Sequence, residues 1–289
     1  MRVSSFRSAV AIATALMGAA GAVQAQVLPE GLEIKGAPID GAKGFQTTAT
    51  SLMRDIVWLD SFLIVVITVI TLFVIALLGW CILRFNQKAN PEPATFTHNQ
   101  PLEVTWTIVP AFILVGIGFA SLPILFDQQQ IPEADVTIKT TGYQWYWGYE
   151  YPDHGIEFDS YMLQRDELEE FGYSQDEYRL ATDTAMVVPT GKTIVVQVTG
   201  GDVIHSWAMP AFGVKQDAVP GRLAELWFEV DEGAEGIYFG QCSELCGLDH
   251  AYMPITVVAV SQADYEIWLE GAIEEFAGTP RNLTVAAAE

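Results

Sequence analysis

The chain has 289 residues, enough for a membrane anchor and one mid-sized domain, and a formal net charge of −22. The charge is unevenly placed, because residues 1–126 hold seven basic and seven acidic residues whereas residues 127–289 hold seven and twenty-nine. An acidic field of this size repels nucleic acid and speeds encounters with basic partners, so nucleic-acid binding is excluded. A plain solubilising role for the same charges stays open.

Residues 1–25 have the layout of a secretory signal peptide. Arg2 and Arg7 precede an apolar, Ala-rich stretch that ends in the small-residue sequence Val23-Gln24-Ala25. We therefore predict cleavage after Ala25 and export of the rest of the chain, with a short retained anchor as the alternative. Residues 26–55 are predicted to form an extended, periplasmic N-terminal arm.

Two uncharged apolar runs predict a transmembrane hairpin over residues 56–126. The runs, residues 61–83 and 104–126, contain 23 residues each. A helix of that length spans roughly 34 Å, which is enough to cross the hydrocarbon core of a bilayer. Because signal cleavage leaves the N-terminus outside, both termini and the C-terminal domain are predicted to be periplasmic, with the hairpin in the lipid of a bacterial inner membrane.

Residues 127–289 are predicted to form an all-β domain with a C-terminal helix. Short runs of Val, Ile, Thr and aromatic residues recur between turn residues, which favours a sandwich or a Greek-key barrel. Ser261, with Asp264 three residues later, predicts the start of the helix. An acidic insert at residues 153–180 is predicted to contain a short helix near residues 166–172. The predicted strands lie in residues 136–151, 185–189, 192–200, 222–230, 236–242 and 253–260.

One loop, residues 241–253, indicates the chemistry of the domain. It holds two thiols, Cys242 and Cys246, together with the imidazole of His250 and the thioether of Met253. Soft sulfur with imidazole selects copper, and a His/Cys site with a weak axial Met is the blue-copper arrangement. A site with one copper ion needs only one thiol, so the second thiol allows both sulfurs to bridge two copper ions.

Two copper ions need a second imidazole, and His205 in the segment Val203-Ile204-His205-Ser206-Trp207 is the best-placed candidate. His98 lies in the link between the spans and His154 lies in the acidic insert. Three other interpretations stay open: an exported disulfide between the two loop cysteines, a zinc site, and a purely structural His205.

Four motifs together resemble subunit II of the haem-copper cytochrome c oxidases. They are the loop at 241–253, the segment around His205, Lys215-Gln216-Asp217-Ala218-Val219-Pro220-Gly221-Arg222 and Gly142-Tyr143-Gln144-Trp145-Tyr146-Trp147. The resemblance covers most of residues 55–270, including both spans. It implies a cupredoxin-like Greek-key barrel that carries the binuclear copper centre called CuA. It also implies the electron-entry subunit of a proton-pumping oxidase, which takes electrons from cytochrome c and passes them to the oxygen-reducing subunit I.

The resemblance also assigns metal ligands. The two cysteines would bridge the copper ions, the two imidazoles would be terminal ligands, and a thioether and a main-chain carbonyl would be weak axial ligands. The Glu244 side chain matches a family residue that reaches Mg²⁺ at the boundary with subunit I, and a carboxylate suits that ion. The implied copper ligands are His205, Cys242, the carbonyl of Glu244, Cys246, His250 and Met253.

Further residues receive roles from the resemblance alone. Trp145 is implied as the ring through which electrons enter from cytochrome c, and Glu103 as the inner mouth of a proton path into subunit I. The partners implied are subunits I and III and a basic cytochrome c, which would dock on an acidic surface. The implied docking acids are Glu150, Asp159, Asp183 and Asp202.

Oxygen reduction is not expected in this chain. The haems and the third copper of such oxidases need more histidines than the four present, and the chain lacks a C-x-x-C-H haem-attachment motif. Three rival classes make different predictions. A quinol oxidase subunit II would have lost the metal ligands. A periplasmic copper-delivery or thiol-redox protein would have one anchor and an exposed C-x-x-C, and the CuA domain of a nitrous oxide reductase would lack the paired spans.

Overall fold

Two long helices precede a β domain in the computed structural model, which describes residues 31–277. The predicted signal peptide, residues 1–25, lies outside the described residues. Helix α1 runs from Ser51–Arg84 and helix α2 from Gln100–Gln129. Both extend beyond the apolar runs that predicted them, because polar side chains cap them outside those runs. Thr50 accepts a hydrogen bond from Met53 N at the start of α1, and Asn99 accepts one from Leu102 N at the start of α2.

The two helices are long and apolar enough to cross a membrane. They have mean hydropathies of 3.1 and 2.3 over their most apolar stretches, and no residue of those stretches is buried by the rest of the described chain. A helix that is apolar all round and exposed in its own chain needs lipid or a partner helix around it. The prediction of two apolar helices ahead of the β domain is confirmed.

Eleven strands of the described part of the chain form two larger sheets and a separate hairpin. The first sheet has the order β4-β3-β2-β6-β9, the second has the order β1-β10-β11-β5, and β7 pairs with β8 in the hairpin. One buried core joins side chains from both sheets and the hairpin, as the predicted all-β domain requires. The strands are β1 Ile34–Gly36, β2 Val136–Tyr143, β3 Tyr146–Tyr151, β4 Ile156–Ser160, β5 Met186–Pro189, β6 Thr193–Gly200, β7 His205–Met209, β8 Val214–Ala218, β9 Ala224–Glu229, β10 Gly236–Gln241 and β11 Pro254–Val260.

The C-terminal helix, α3, runs from Gln262–Phe276 and begins as predicted. Ser261 caps it by accepting a hydrogen bond from Asp264 N. Trp268 then packs on Tyr151 of β3 with ring centroids 5.2 Å apart. The helix therefore packs against the side of the domain formed by β3, β4 and β5.

The start of α1 is fixed to the β domain. Thr50 Oγ1 donates to Phe212 O at 2.8 Å, and Asp231 N donates to Ala49 O at 2.9 Å. Arg54 adds an ion pair with Asp231. These bonds join the last residues of the N-terminal arm to two separate turns of the barrel. They fix the position of the domain relative to the helix that carries it.

Two local predictions were wrong, and one hairpin was missed. Residues 136–151 are two strands and not one, because the chain turns at Gln144 and Trp145, so Trp145 does not share the buried face of Trp147 and Tyr149. No helix forms at residues 166–172, where the chain makes successive turns around a small core of its own. The hairpin β7-β8 was not predicted at all, although it carries His205.

The hydroxyl of Tyr151 links the two sheets. Its oxygen donates to Val187 O at 2.9 Å and accepts from Val187 N at 3.0 Å, and the side chain is 1% exposed. Val187 lies on β5, which is an edge strand, so both backbone groups point away from the only neighbouring strand.

The substitution Tyr151→Phe should lower the free energy of unfolding of the β domain by roughly 2–4 kcal/mol, because it leaves two buried backbone groups without a partner. Denaturant unfolding of the full chain, followed by tryptophan fluorescence, measures this change. The matched control is Tyr252→Phe, whose ring is 41% exposed and which should change stability by less than about 0.5 kcal/mol. Equal effects of the two substitutions would contradict the assigned role of the hydroxyl.

Candidate metal centre

The register of two strands brings the ends of the ligand loop together. β10 and β11 are antiparallel, and their last pair is Gln241 with Pro254. Cys242 therefore leaves β10 at the point where Met253 enters β11. The hairpin lies beside β10, and Ser243 N donates to Ser206 O at 3.0 Å. This contact places His205, the first residue of β7, next to the loop.

Each thiol sulfur has an imidazole nitrogen beside it. Cys242 Sγ lies 3.9 Å from His205 Nδ1, and Cys246 Sγ lies 3.5 Å from His250 Nδ1. The two sulfurs are 3.9 Å apart. In the described part of the chain, His205, Cys242 and Cys246 are the group of potential metal ligands whose donor atoms all lie within 4.8 Å of one another.

Each sulfur also has a weaker donor nearby. The Sδ atom of Met253 lies 3.4 Å from Cys246 Sγ, and the carbonyl oxygen of Glu244 lies 3.3 Å from Cys242 Sγ. Met253 is 1% exposed, whereas Glu244 has an exposed side chain and turns only its main-chain carbonyl toward the sulfurs. The structure thus brings together all six predicted copper ligands.

The donor set suits a soft metal ion and not a disulfide. Both loop cysteines are free thiols, and their 3.9 Å separation far exceeds the S–S bond of about 2.05 Å. A metal–sulfur bond of about 2.3 Å lets two sulfurs as far apart as about 4.6 Å share one ion. Two thiols, two imidazoles, a thioether and a carbonyl within this space fit copper.

The two thiols differ in acidity. Burial raises the pKa of Cys242, but hydrogen bonds with His205 and the neighbouring backbone outweigh it and lower the pKa from 9.0 to about 7. Burial, followed by the negative charge of Cys242, raises the pKa of Cys246 to about 12. The pair of thiols therefore loses one proton readily and keeps the second proton unless a bound cation stabilises both thiolates.

Trp145 lies against the ligand loop although it belongs to neither β2 nor β3. It occupies the turn between β2 and β3 and is partly buried. A Cβ atom on Gly247 would lie 3.2 Å from Trp145 Cζ2, so the indole touches the loop backbone one residue after Cys246. Gln144 Nε2 also donates to Cys246 O at 2.7 Å. No sequence pattern predicted this role of Gln144.

The four acids predicted to dock a partner have different surroundings. Glu150 pairs with Lys139 at 2.7 Å on the outer face of the first sheet. Burial raises the pKa of Asp183, whose carboxylate accepts hydrogen bonds from the backbone of Tyr161 and Thr184. Asp159 lies on β4, the strand that pairs with β3, which carries Glu150.

Asp202 contacts the candidate ligand set directly. Its Oδ1 atom lies 2.8 Å from Nε2 of His205, and its Oδ2 atom accepts a hydrogen bond from Gln144 N at 2.8 Å. Asp202 is therefore the one member of the four predicted docking acids that touches a candidate ligand in the described part of the chain.

Glu103 is far from the metal centre. It lies in the first turn of α2, and its Oε1 atom accepts a hydrogen bond from Asn99 N at 3.0 Å. The remaining length of α2, roughly 40 Å at 1.5 Å per residue, separates it from the β domain. Glu103 therefore caps the start of α2, and it contacts none of the other predicted site residues in the part of the chain that the structure describes.

Family models match both parts of the chain. The model described as cytochrome c oxidase subunit II, periplasmic domain, matches residues 136–260, and the model for the transmembrane domain of the same subunit matches residues 38–124. Together they cover more than half of the chain.

Individual proteins agree with the family models. Cytochrome c oxidase subunit 2 of Cereibacter sphaeroides is 58% identical over 274 residues, covering 90% of each chain. The "Probable cytochrome c oxidase subunit 2" of Rickettsia felis is 45% identical over 234 residues, covering 80% of this chain and 72% of its own. The crystal structure of the periplasmic domain of cytochrome oxidase subunit II of Bradyrhizobium japonicum is 52% identical, covering 51% of this chain and all of its own, with a TM-score of 0.46. By the family models and the curated relatives, this chain belongs to the cytochrome c oxidase subunit II family.

Proposed function

We propose that this chain is the electron-entry subunit of a proton-pumping cytochrome c oxidase. It accepts electrons from cytochrome c at a binuclear copper centre and passes them to the haem-copper subunit I, where oxygen is reduced. The observation that carries the proposal is the pairing of donors, since each thiol sulfur has its own imidazole nitrogen and its own weak donor within 4 Å. The ligands would be those brought together at the loop and at His205.

The same pairing argues against the rival metal sites. A tetrahedral zinc ion takes four ligands and would leave the thioether of Met253 and the carbonyl of Glu244 unused. A single blue-copper ion needs only one thiol. Two bridging thiolates allow two ions to reach an imidazole each, and the whole donor set is then used. When bound, two copper ions that share one electron through the thiolates spread the charge change over the site.

The proposed ligands lie in a buried and ordered part of the β domain. Cys242 and Cys246 are only 6% and 4% exposed, so water has little access to their sulfurs. His205 begins β7, Cys242 follows the last residue of β10 and Met253 precedes the first residue of β11, so strand pairing holds the backbone at these three residues. Ligands held by strands move little when the charge of the site changes, which suits rapid electron exchange.

The position of Trp145 supports it as the residue where electrons enter. Its ring touches the loop at Gly247, and the adjacent Gln144 is hydrogen-bonded to the carbonyl of Cys246. The path from the ring to a proposed ligand is therefore one van der Waals contact and a short length of backbone. No other aromatic ring is predicted to fill this role.

The negative charge of the domain supports a basic electron donor. The proposed docking acids, Glu150, Asp159, Asp183 and Asp202, belong to a domain with a formal charge of −22 in residues 127–289. Opposed charge on cytochrome c would raise the association rate and make it fall with salt. Each acid has internal contacts, so single substitutions should change the rate of encounter more than the lifetime of the complex.

The ligand loop also supports contact with subunit I. Leu245 and Leu248 are 76% and 87% exposed at the end of the loop, which is a large apolar exposure for a polar surface. The exposed side chain of Glu244 lies beside them and is proposed to bind Mg²⁺ at that boundary. A subunit that covers these residues would stand directly over the metal centre.

The apolar helices place the complex in a membrane. Their uncovered faces would contact lipid, subunit I and subunit III in the bacterial inner membrane, with both termini and the β domain on the periplasmic side. This orientation rests on the predicted signal peptide. Glu103, at the opposite end of α2 from the domain, is then on the cytoplasmic side, where the mouth of a proton path into subunit I is proposed.

The acidity of the thiols gives a first test. In the metal-free, reduced full-length chain, thiolate absorbance should rise with an apparent pKa of about 7 as Cys242 ionises. The substitution Cys242→Ser should remove this step, and Cys246→Ser should retain an ionisation below the ordinary 9.0. All variants also carry Cys81→Ser, so that only loop thiols are observed. Ionisation of neither thiol below pH 8 would contradict the assigned contacts of Cys242.

The function is tested by Cys242→Ser in the purified oxidase. Electron delivery from cytochrome c should fall by at least about 100-fold, because even groups that only support metal ligands are worth about 10–100-fold. Haems reduced directly by a chemical reductant should still react with oxygen. Cys81→Ser, at an exposed cysteine of α1, is the matched control and should leave electron delivery unchanged. Normal delivery in the Cys242 variant would refute the proposed function.

A further inference from the structure

Neighbouring N–H groups occupy most of the hydrogen-bonding sites of the Asp202 carboxylate. Oδ1 lies 2.8 Å from His205 Nε2 and accepts a hydrogen bond from Val203 N at 2.6 Å. Oδ2 accepts a hydrogen bond from Gln144 N at 2.8 Å. A carboxylate has about four lone-pair sites, and three of them are engaged here. The Asp202 side chain is 34% exposed, so it lies between the protein surface and the candidate ligands.

We propose that Asp202 is a positioning residue of the metal centre, which holds the imidazole of His205 in the orientation and tautomer that present Nδ1 to the metal. The proposal rests on the proposed function, because it assumes that His205 is a metal ligand. It gives Asp202 a role different from that of the docking acids, with which the family resemblance groups it.

The chemistry of imidazole explains why this contact matters. A neutral ring has one N–H group and one nitrogen with a free lone pair. When Nε2–H donates to the Asp202 carboxylate, the lone pair belongs to Nδ1, which faces Cys242 Sγ at 3.9 Å. Ligating histidines commonly donate their other N–H to a carboxylate, which orients the ring and makes it a stronger donor.

The ring of His205 has little freedom apart from this bond. It is 0% exposed, and its edge meets the ring of Trp147 with centroids 6.0 Å apart. A Cβ atom on Gly142 would lie 2.9 Å from the His205 ring, so β2 also packs tightly against it. A 180° flip of the ring would exchange Nδ1 with Cδ2 and Nε2 with Cε1, and would leave the carboxylate facing a carbon atom. Asp202 therefore selects between two orientations that packing alone does not distinguish.

The second oxygen of Asp202 extends the effect to the entry residue. Gln144 N donates to Asp202, and the side chain of Gln144 donates to the carbonyl of Cys246. The next residue is Trp145. A single carboxylate thus links the orientation of one ligand with the turn that carries the proposed entry ring.

The two imidazoles are not equivalent in this respect. His250 is partly exposed and has no carboxylate partner among the residues that the structure describes. Loss of Asp202 should therefore disturb the half of the site that contains His205 and leave the other half intact. A purely structural acid would not produce such a one-sided change.

The test is Asp202→Asn in the assembled oxidase, with Asp159→Asn as a charge-matched control. Asn keeps the shape of the side chain but replaces one acceptor oxygen with a donor. We expect copper affinity, measured by competition with a chelator, to fall about 10–100-fold. We also expect a rise in the reduction potential of the centre and a change in the EPR couplings of one histidine. Asp159→Asn should change the salt dependence of cytochrome c oxidation while the copper spectrum keeps its wild-type form.

The proposal is overturned if Asp202→Asn retains wild-type copper affinity, potential and couplings and changes only the salt dependence. If that variant does not assemble, the unmodified oxidase supplies the readout. Hyperfine spectroscopy with 15N-labelled histidine should detect a slowly exchanging Nε2–H proton on one ligand and a fast one on the other. Equal exchange on both ligands overturns the proposal. A wild-type enzyme without a copper pair would refute the proposed function as well, so the two failures are distinguishable.

Discussion

The antiparallel pairing of β10 with β11 is the constraint on which the site depends. Because Gln241 opposes Pro254, the chain that leaves β10 must return within the loop, and the first and last ligands of that loop meet at its base. A shift of this register by one residue would turn Cys242 and Met253 toward opposite faces. The contact between Ser243 and Ser206 then fixes the hairpin that supplies His205. Strand pairing thus sets the positions of His205, Cys242 and Met253, whereas Cys246 and His250 depend on the path of the loop between the strands.

The same geometry places charged and polar atoms where they are costly without a metal. Two nearly buried thiols and a fully buried imidazole lie within hydrogen-bond range, and ionisation of one thiol opposes ionisation of the other. A polar cluster of this kind is only partly satisfied by its own members. A bound cation would stabilise both thiolates at once, which couples metal binding to the ionisation and the stability of the domain. Asp202 contributes the negative charge and the hydrogen bond that the buried imidazole needs on its far side.

The structure brings the predicted ligand residues together, whereas it differs from the prediction for several of the strands around them. The candidate ligands were predictable from local sequence, because four of the five ligating side chains lie in one loop and their residue types are unusual together. The spans were predicted because uncharged runs of 23 residues rarely have another explanation. The hairpin of His205 was missed because its strands are short and its second strand, with Lys215, Gln216 and Asp217, lacks an apolar alternation. The place of Asp202 beside His205, and of Gln144 beside Cys246, depends on contacts between distant segments and could not be predicted from local pattern.

Metal content and electronic structure test the central claim most directly. In the purified, oxidised enzyme, we expect two copper ions bound by this chain and an EPR signal in which one unpaired electron is shared by both ions. That result is expected if Cys242 and Cys246 bridge two ions and each ion takes one imidazole. A single copper ion, a zinc ion, or a disulfide between Cys242 and Cys246 in the working enzyme would contradict the account.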